Sequence, residues 1–155
     1  MSGAHIVISQ PVLSEILAHA AQCWPRECCG LLIAAPAKQQ GAAPPRYIAR
    51  AVAAQNVARN PETTFEIDPA LLLQTHRYVR DHGEEIIGCY HSHPDGTILP
   101  SRTDLARAED PGFYWLIVGS NVDHCDDWAI YQRQPVTHDL AHQRFFARSD
   151  CAIQS

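Results

Sequence analysis

Two histidines one residue apart, followed at a fixed distance by a serine and an aspartate, carry the chemistry in this chain. They lie in the stretch Y-H-S-H-P-D-G-T-I-L-P-S-R-T-D, residues 90–104. His91 and His93 have the spacing at which side chains of a β-strand share a face, so both imidazoles can reach one ion. Asp104 adds an anionic oxygen. Two imidazoles and a carboxylate make a three-donor set that leaves a fourth position for water, which separates a catalytic zinc site from a closed structural one. Ser101 and Asp104 also have a purely structural reading. A serine followed three residues later by an acid resembles a capping box, and Pro100 before it supports a helix start. The two readings are compatible, because a helix start fixes where Asp104 points.

These residues need a strand that ends in histidines and a helix that begins at Ser101. Glu85–His93 reads as that strand, central in the fold, and Asp110-Pro111-Gly112 stops the helix. Upstream, residues 4–8 read as a short strand. A helix follows from Pro11, with Val12, Ile16, Ala20 and Cys23 at helical spacing, ended by Trp24-Pro25. E-C-C-G-L-L-I-A-A, residues 27–35, has the composition of a strand buried on both faces, with Glu27 its one ionisable group. Residues 36–45 read as a loop, Tyr47–Ala54 as a strand and Phe65–Ile67 as a short strand. Asp68-Pro69 opens a helix that turns Leu71, Leu72, Thr75, Tyr78 and Val79 inward and ends near His82-Gly83. Phe113–Val118 and Trp128–Gln132 complete the strands, and the tail from Val136 holds a weak helical pattern around Leu140, Phe145 and Phe146. Helices and strands interleave without strict alternation, which predicts an α/β fold with a mixed sheet flanked by helices.

Composition limits the partners. A net charge of −5 and no basic run argue against nucleic acid or an anionic membrane surface. No apolar window reaches the roughly 18 residues of a membrane span, and the opening M-S-G-A-H-I-V-I is too short and polar for a secretion signal. Together these predict a soluble, cytoplasmic protein. The six cysteines show no C-x-x-C pair and no framework spacing, so reduced thiols packed as small apolar residues are expected. At 155 residues the length fits one domain.

The pattern His91-x-His93, seven residues, Ser101, two residues, Asp104 resembles the metal-binding motif of the JAMM (MPN+) zinc metallopeptidases. That family also uses a glutamate at the start of an apolar strand, and Glu27 in P-R-E-C-C-G-L-L matches its position. Similarity continues through N-V-A-R-N-P, F-E-I-D-P, G-C-Y-H-S-H-P, P-S-R-T-D and Y-W-L-I-V-G, so it covers about residues 10–133. The resemblance implies a single domain over 1–155, with 136–155 a tail, in a cytidine-deaminase-like three-layer sandwich. His91, His93 and Asp104 would hold one Zn²⁺ and a water whose pKa falls to about 7. Glu27 would take that water's proton as general base and return it to the leaving amine. The Ser101 hydroxyl would donate to the developing oxyanion, a role worth roughly 3 kcal/mol. Sequence alone favours an exposed strand-end carboxylate for Glu27; only the resemblance makes it a base.

Short bacterial members of that family resemble enzymes that trim ubiquitin-like sulfur-carrier proteins. The implied activity is a metallopeptidase or isopeptidase cutting after the C-terminal Gly-Gly of such a protein, its tail extended along a sheet edge. Two alternatives stand beside it: the same chemistry on cell-wall or other small peptides, and a non-catalytic binding module of the same fold, whose representatives lack the ligands present here. Other candidates have weaker patterns. His138-x-x-x-His142 imitates a zincin helix with Asp139 where glutamate belongs. Cys28 and Cys29 have no basic partner and read as core. His5, His19, His76, His82 and His124 read as surface residues, and Arg26 and Arg102 flank the site, where they could attract a carboxylate.

Overall fold

The structure, a computed structural model, describes residues 6–36, 45–108, 110–124, 126–134 and 146–155. In chain order these form β1 (Ile6–Ser9), α1 (Gln10–Cys23), β2 (Cys29–Ala34), β3 (Arg46–Ala54), α2 (Pro69–His82), β4 (Glu85–His93), α3 (Arg102–Arg107), β5 (Tyr114–Gly119), β6 (Asp127–Arg133), β7 (Phe146–Arg148) and β8 (Cys151–Gln154). The strands make one sheet in the order β7-β6-β5-β4-β2-β3-β1-β8. It is mixed: β4 and β5 run parallel, as do β1 with β3 and β8, and the other pairs are antiparallel.

α1 and α2 each start where a short polar side chain meets proline. Ser9 accepts the Val12 N–H at 3.3 Å and Asp68 accepts the Ala70 N–H at 3.0 Å, with proline in the first turn of each helix. α1 buries Val12, Leu13, Ile16 and Ala20 on one face of the sheet, against Ile6, Ile8, Leu32, Tyr90 and Leu116. α2 buries Thr75 and Val79. Val79, with Leu71 and Leu72, packs on the other face with Cys29, Leu31, Phe65, Cys89 and Trp115. This is a three-layer arrangement, and β2 is buried along its whole length because both cores meet it. A Cβ on Gly30 would run into the Tyr90 ring and the Val52 carbonyl, so only glycine lets that ring lie across the strand.

The expected elements appear with four differences. Tyr78 is 50% exposed rather than inward, because its ring carries the Arg50 guanidinium 5.1 Å above it at the edge of α2. Phe65–Ile67 is no strand; Ile67 makes a single bridge to Asn56. Phe146, assigned to a weak helix, lies in β7, since pairing with the open edge of β6 outweighs a poor helical pattern. His19 is half-buried, with Nδ1 2.7 Å from the Tyr90 hydroxyl. The rest of the tail pattern, from Val136 to Phe145, and the pair His138 and His142 lie outside the described residues, as does His5. No described helix is long and apolar enough to cross a membrane.

Candidate active site

The histidines reach their positions through a break in strand regularity. Between β2 and β4, Leu32 pairs with Gly88 but Ile33 pairs with Ile86, so Ile87 is an extra residue on β4. From Cys89 onward the alternation is regular, which places Cys89, His91 and His93 toward the α2 face and Tyr90 and Ser92 toward α1. His91 is fully buried. The Phe65 ring stacks on it at 4.5 Å and Trp115 meets it edge-on at 5.7 Å, which fixes its plane. His93 is oriented by hydrogen bonding. Its Nδ1 lies 3.2 Å from the Thr97 carbonyl, which can accept an N–H there and turns Nε2 toward Asp104. The turn carrying Thr97 is held because the Gly96 and Ser120 N–H groups both donate to the His93 carbonyl. A Cβ on Gly119 would strike the Gly96 backbone, so the turn lies close against β5 only because that residue is glycine.

Ser101 and Asp104 form a complete capping box at the start of α3. The Asp104 N–H donates to Ser101 Oγ at 3.0 Å and the Ser101 N–H donates to Asp104 Oδ2 at 2.8 Å. The box aims Asp104 at the histidines. His91 Nε2 lies 3.1 Å from His93 Nε2 and 3.1 Å from Asp104 Oδ2, and His93 Nε2 lies 3.0 Å from that oxygen. Donors about 2.0–2.1 Å from a tetrahedral ion stand about 3.3 Å from one another, so this buried triangle has the size and chemistry to hold a metal. Electrostatics agree. Burial would raise Asp104, but hydrogen bonds from His91, His93 and the Ser101 N–H hold it well below the usual carboxylate range. Burial lowers His91 against the pull of Asp104, which keeps its ring neutral.

Glu27, expected as a strand-end carboxylate in the absence of the family resemblance, is only 5% exposed. Its Oε1 has no hydrogen-bond partner. Burial raises its carboxyl from about 4.5 to about 7, with His93 opposing and Asp104 and Asp95 reinforcing the shift. Glu27, His93, Thr97 and Ser101 line one cleft of about 220 Å³, with Glu62 and Thr63 on its wall. Cys28 and Cys29, next along the chain, are buried free thiols that burial pushes up to about 12, as core residues would be.

Sequence reading missed the two residues that hold Glu27 in place. Asn56 Nδ2 donates to the carbonyls of Glu27 at 3.0 Å and Thr64 at 3.0 Å, while its Oδ1 accepts from Ala58 and Glu66. The Glu27 N–H donates to Pro61, so the segment 56–66 clasps Glu27 from both sides of its peptide. Ser92, between the histidines, accepts the Cys28 N–H on its Oγ at 2.8 Å and returns its own N–H to the Cys28 carbonyl. A lone Asn in a turn-rich segment and a serine between histidines have no pattern that marks them. Asn56→Ala is expected to cost about 2–3 kcal/mol in urea denaturation, as several half-buried groups lose partners, and to lower kcat more than it raises KM. An unchanged kcat would show that the clasp does not position Glu27.

The site lies on an internal strand. The outermost strands, β7 and β8, stand three and four strands from β4.

Residues 9–131 match the family described as prokaryotic homologs of the JAB domain. Over 121 residues the chain is 31% identical to the desampylase of Haloferax volcanii, covering 76% of this chain and 82% of that one. Over 127 residues it is 29% identical to the CysO-cysteine peptidase of Mycobacterium tuberculosis, covering 82% of each. Its fold matches a JAB1/MPN domain protein from Archaeoglobus fulgidus with a TM-score of 0.57 at 19% identity, over 97% of this chain and 99% of that one. Glu27, His91, His93, Ser101 and Asp104 all fall within the matched stretch, and the mixed sheet between helices is the fold expected for them. The chain belongs to the family of prokaryotic homologs of the JAB domain.

Proposed function

We propose that this chain is a zinc-dependent peptidase that hydrolyses the amide bond following the C-terminal Gly-Gly of a small ubiquitin-like protein. The observation that carries this reading is the placement of Glu27. A buried carboxylate with an unpartnered oxygen shares one narrow cleft with His93, a member of the three-donor triangle, and with Ser101. His91, His93 and Asp104 are the residues that would hold the ion, one per chain. Bound zinc would acidify water to a pKa near 7 and polarise a carbonyl.

The chain's own groups do the rest. Glu27 accepts the proton of the attacking water on its free oxygen. The water oxygen bonds to the carbonyl carbon, the C–N bond breaks, and the nitrogen leaves carrying the proton that Glu27 held. Ser101 Oγ accepts the Asp104 N–H on one lone pair, and its O–H can donate to the carbonyl oxygen as charge develops there. The cleft of about 220 Å³, walled by Glu62 and Thr63, supports a preference for small residues beside the scissile bond. Relatives named as a desampylase and a CysO-cysteine peptidase support the reaction type and the substrate class.

The test is incubation of the zinc-loaded protein with ubiquitin-like fusions extended beyond Gly-Gly, with product masses measured. The expected product is a mass ending at the second glycine. Intact fusions after long incubation would sink the reading.

A further inference from the structure

The two histidines of the triangle are held by different means. His91 is fully buried, its Nδ1 has no hydrogen-bond partner, and packing against the Phe65 and Trp115 rings sets its plane. His93 has polar partners behind its ring. Its Nδ1 lies 3.1 Å from Thr97 Oγ1 as well as 3.2 Å from the Thr97 carbonyl. Thr97 is tied in turn to Asp95. Its Oγ1 lies 2.8 Å from Asp95 Oδ1, and its N–H donates to the same oxygen at 3.0 Å.

The direction of these bonds follows from the atoms. An ionised carboxylate only accepts, so the one hydroxyl hydrogen of Thr97 goes to Asp95. Oγ1 then faces the imidazole with a lone pair, and the Thr97 carbonyl is an acceptor as well. Nδ1 of His93 therefore carries a hydrogen in either charge state of the ring, and Nε2 is the nitrogen left to meet an ion. The Gly96 N–H donates to the His93 carbonyl at 3.0 Å, so the turn closes on the residue whose ring it holds.

Resting on the zinc site proposed above, we propose that the Thr97 hydroxyl and the Asp95 carboxylate are positioning residues for His93 that set the affinity of its Nε2 for the metal. Neither is part of the pattern of histidines, serine and aspartate, and neither is a donor of the triangle. The chain of bonds from Asp95 through Thr97 fixes the ring's orientation and leans the carboxylate's charge on Nδ1–H, which makes Nε2 a stronger donor. His91 has no such support, so the polar control of the site runs through one histidine.

The experiment measures zinc affinity by chelator competition at fixed pH, with the Tm of each metal-free protein as the control for folding. Thr97→Val keeps the branched shape and the backbone carbonyl and removes only the hydroxyl. It is expected to weaken zinc by about tenfold, the lower end for a lost partner of a metal-bound histidine, because the carbonyl remains. Thr97→Ser restores the hydroxyl and is expected to recover most of that loss. Asp95→Asn keeps an oxygen for both Thr97 bonds and removes the charge. Its effect is expected to be smaller, since Asp95 is exposed and its charge is screened. Combined with Thr97→Val it should cost less than it costs alone, because the connection is already cut. An unchanged affinity in Thr97→Val, a serine variant as weak as the valine one, or additive losses in the double variant overturns the relay. A lower metal-free Tm with unchanged zinc affinity also overturns it and leaves a purely structural turn. Zinc affinity that depends on the relay, together with intact Gly-Gly fusions, leaves the relay standing and overturns the proposed reaction.

Discussion

Glu27→Gln is expected to keep one zinc per chain and to lower kcat by about a thousandfold or more, the scale of a lost general base. Glutamine has nearly the same shape, and the backbone bonds that clasp residue 27 do not involve its side chain. What it cannot do is accept a proton. The pH profile supplies a second readout. Burial raises Glu27 from about 4.5 to about 7, and a bound cation nearby pulls it back, so the acid limb of kcat/KM is expected between those values and absent from the variant. Stability moves the opposite way. A carboxyl whose folded value is raised holds its proton more tightly in the folded state, so it opposes folding as pH climbs from 4.5 through 7. Above pH 7 the metal-free Gln variant is therefore expected to be more stable than the metal-free native chain by about 1–2 kcal/mol, discounted for solvent at the open cleft. At pH 4 the two should match. Retained activity would remove Glu27 from the mechanism, and a destabilised variant at pH 8 would mean that its burial is relieved by a partner.

The difference between what the sequence showed and what it hid follows from how far each signal reaches. His91 and His93 are visible because strand periodicity is local, and Ser101 and Asp104 because a capping box closes within one turn. That box turned out to be the device that aims Asp104 at the histidines, so the structural and the chemical reading of the pair are one fact. Glu27 is different. Its role depends on pairing between β2 and β4, with Cys29 opposite His91, a register that no local pattern encodes. Asn56 and Ser92 were invisible for the same reason, since their partners lie 29 and 64 residues away.

Replacing both His91 and His93 by alanine is expected to reduce bound zinc from about one per chain to less than about a tenth, since one carboxylate cannot replace a three-donor set. Activity should fall to background with it. The substitution also disturbs the fold. Asp104 loses two buried hydrogen-bonding partners and keeps the Ser101 N–H, a situation that costs about 3–5 kcal/mol when one side of a buried pair is removed. Asp104→Asn therefore serves as the companion variant, because its amide oxygen still accepts from Ser101 while the ligand charge is gone. Measuring Tm with zinc and with chelator separates the effects. Zinc that binds only the folded state raises Tm in the native chain, and neither variant should respond. The metal-free native chain has its own pH signature. Asp104 is held low, so its contribution is present above about 3.8 and lost as pH falls. His93 is raised by Asp104 and Glu27 against the effect of burial, so its contribution is present below about 6.5 and fades as pH rises through the raised value. The metal-free cluster thus stabilises most between those limits, where zinc must compete with the proton on His93. The zinc-induced rise in Tm is accordingly expected to grow with pH above 6.5. A zinc response that persists in the double alanine variant would place the metal elsewhere in the chain.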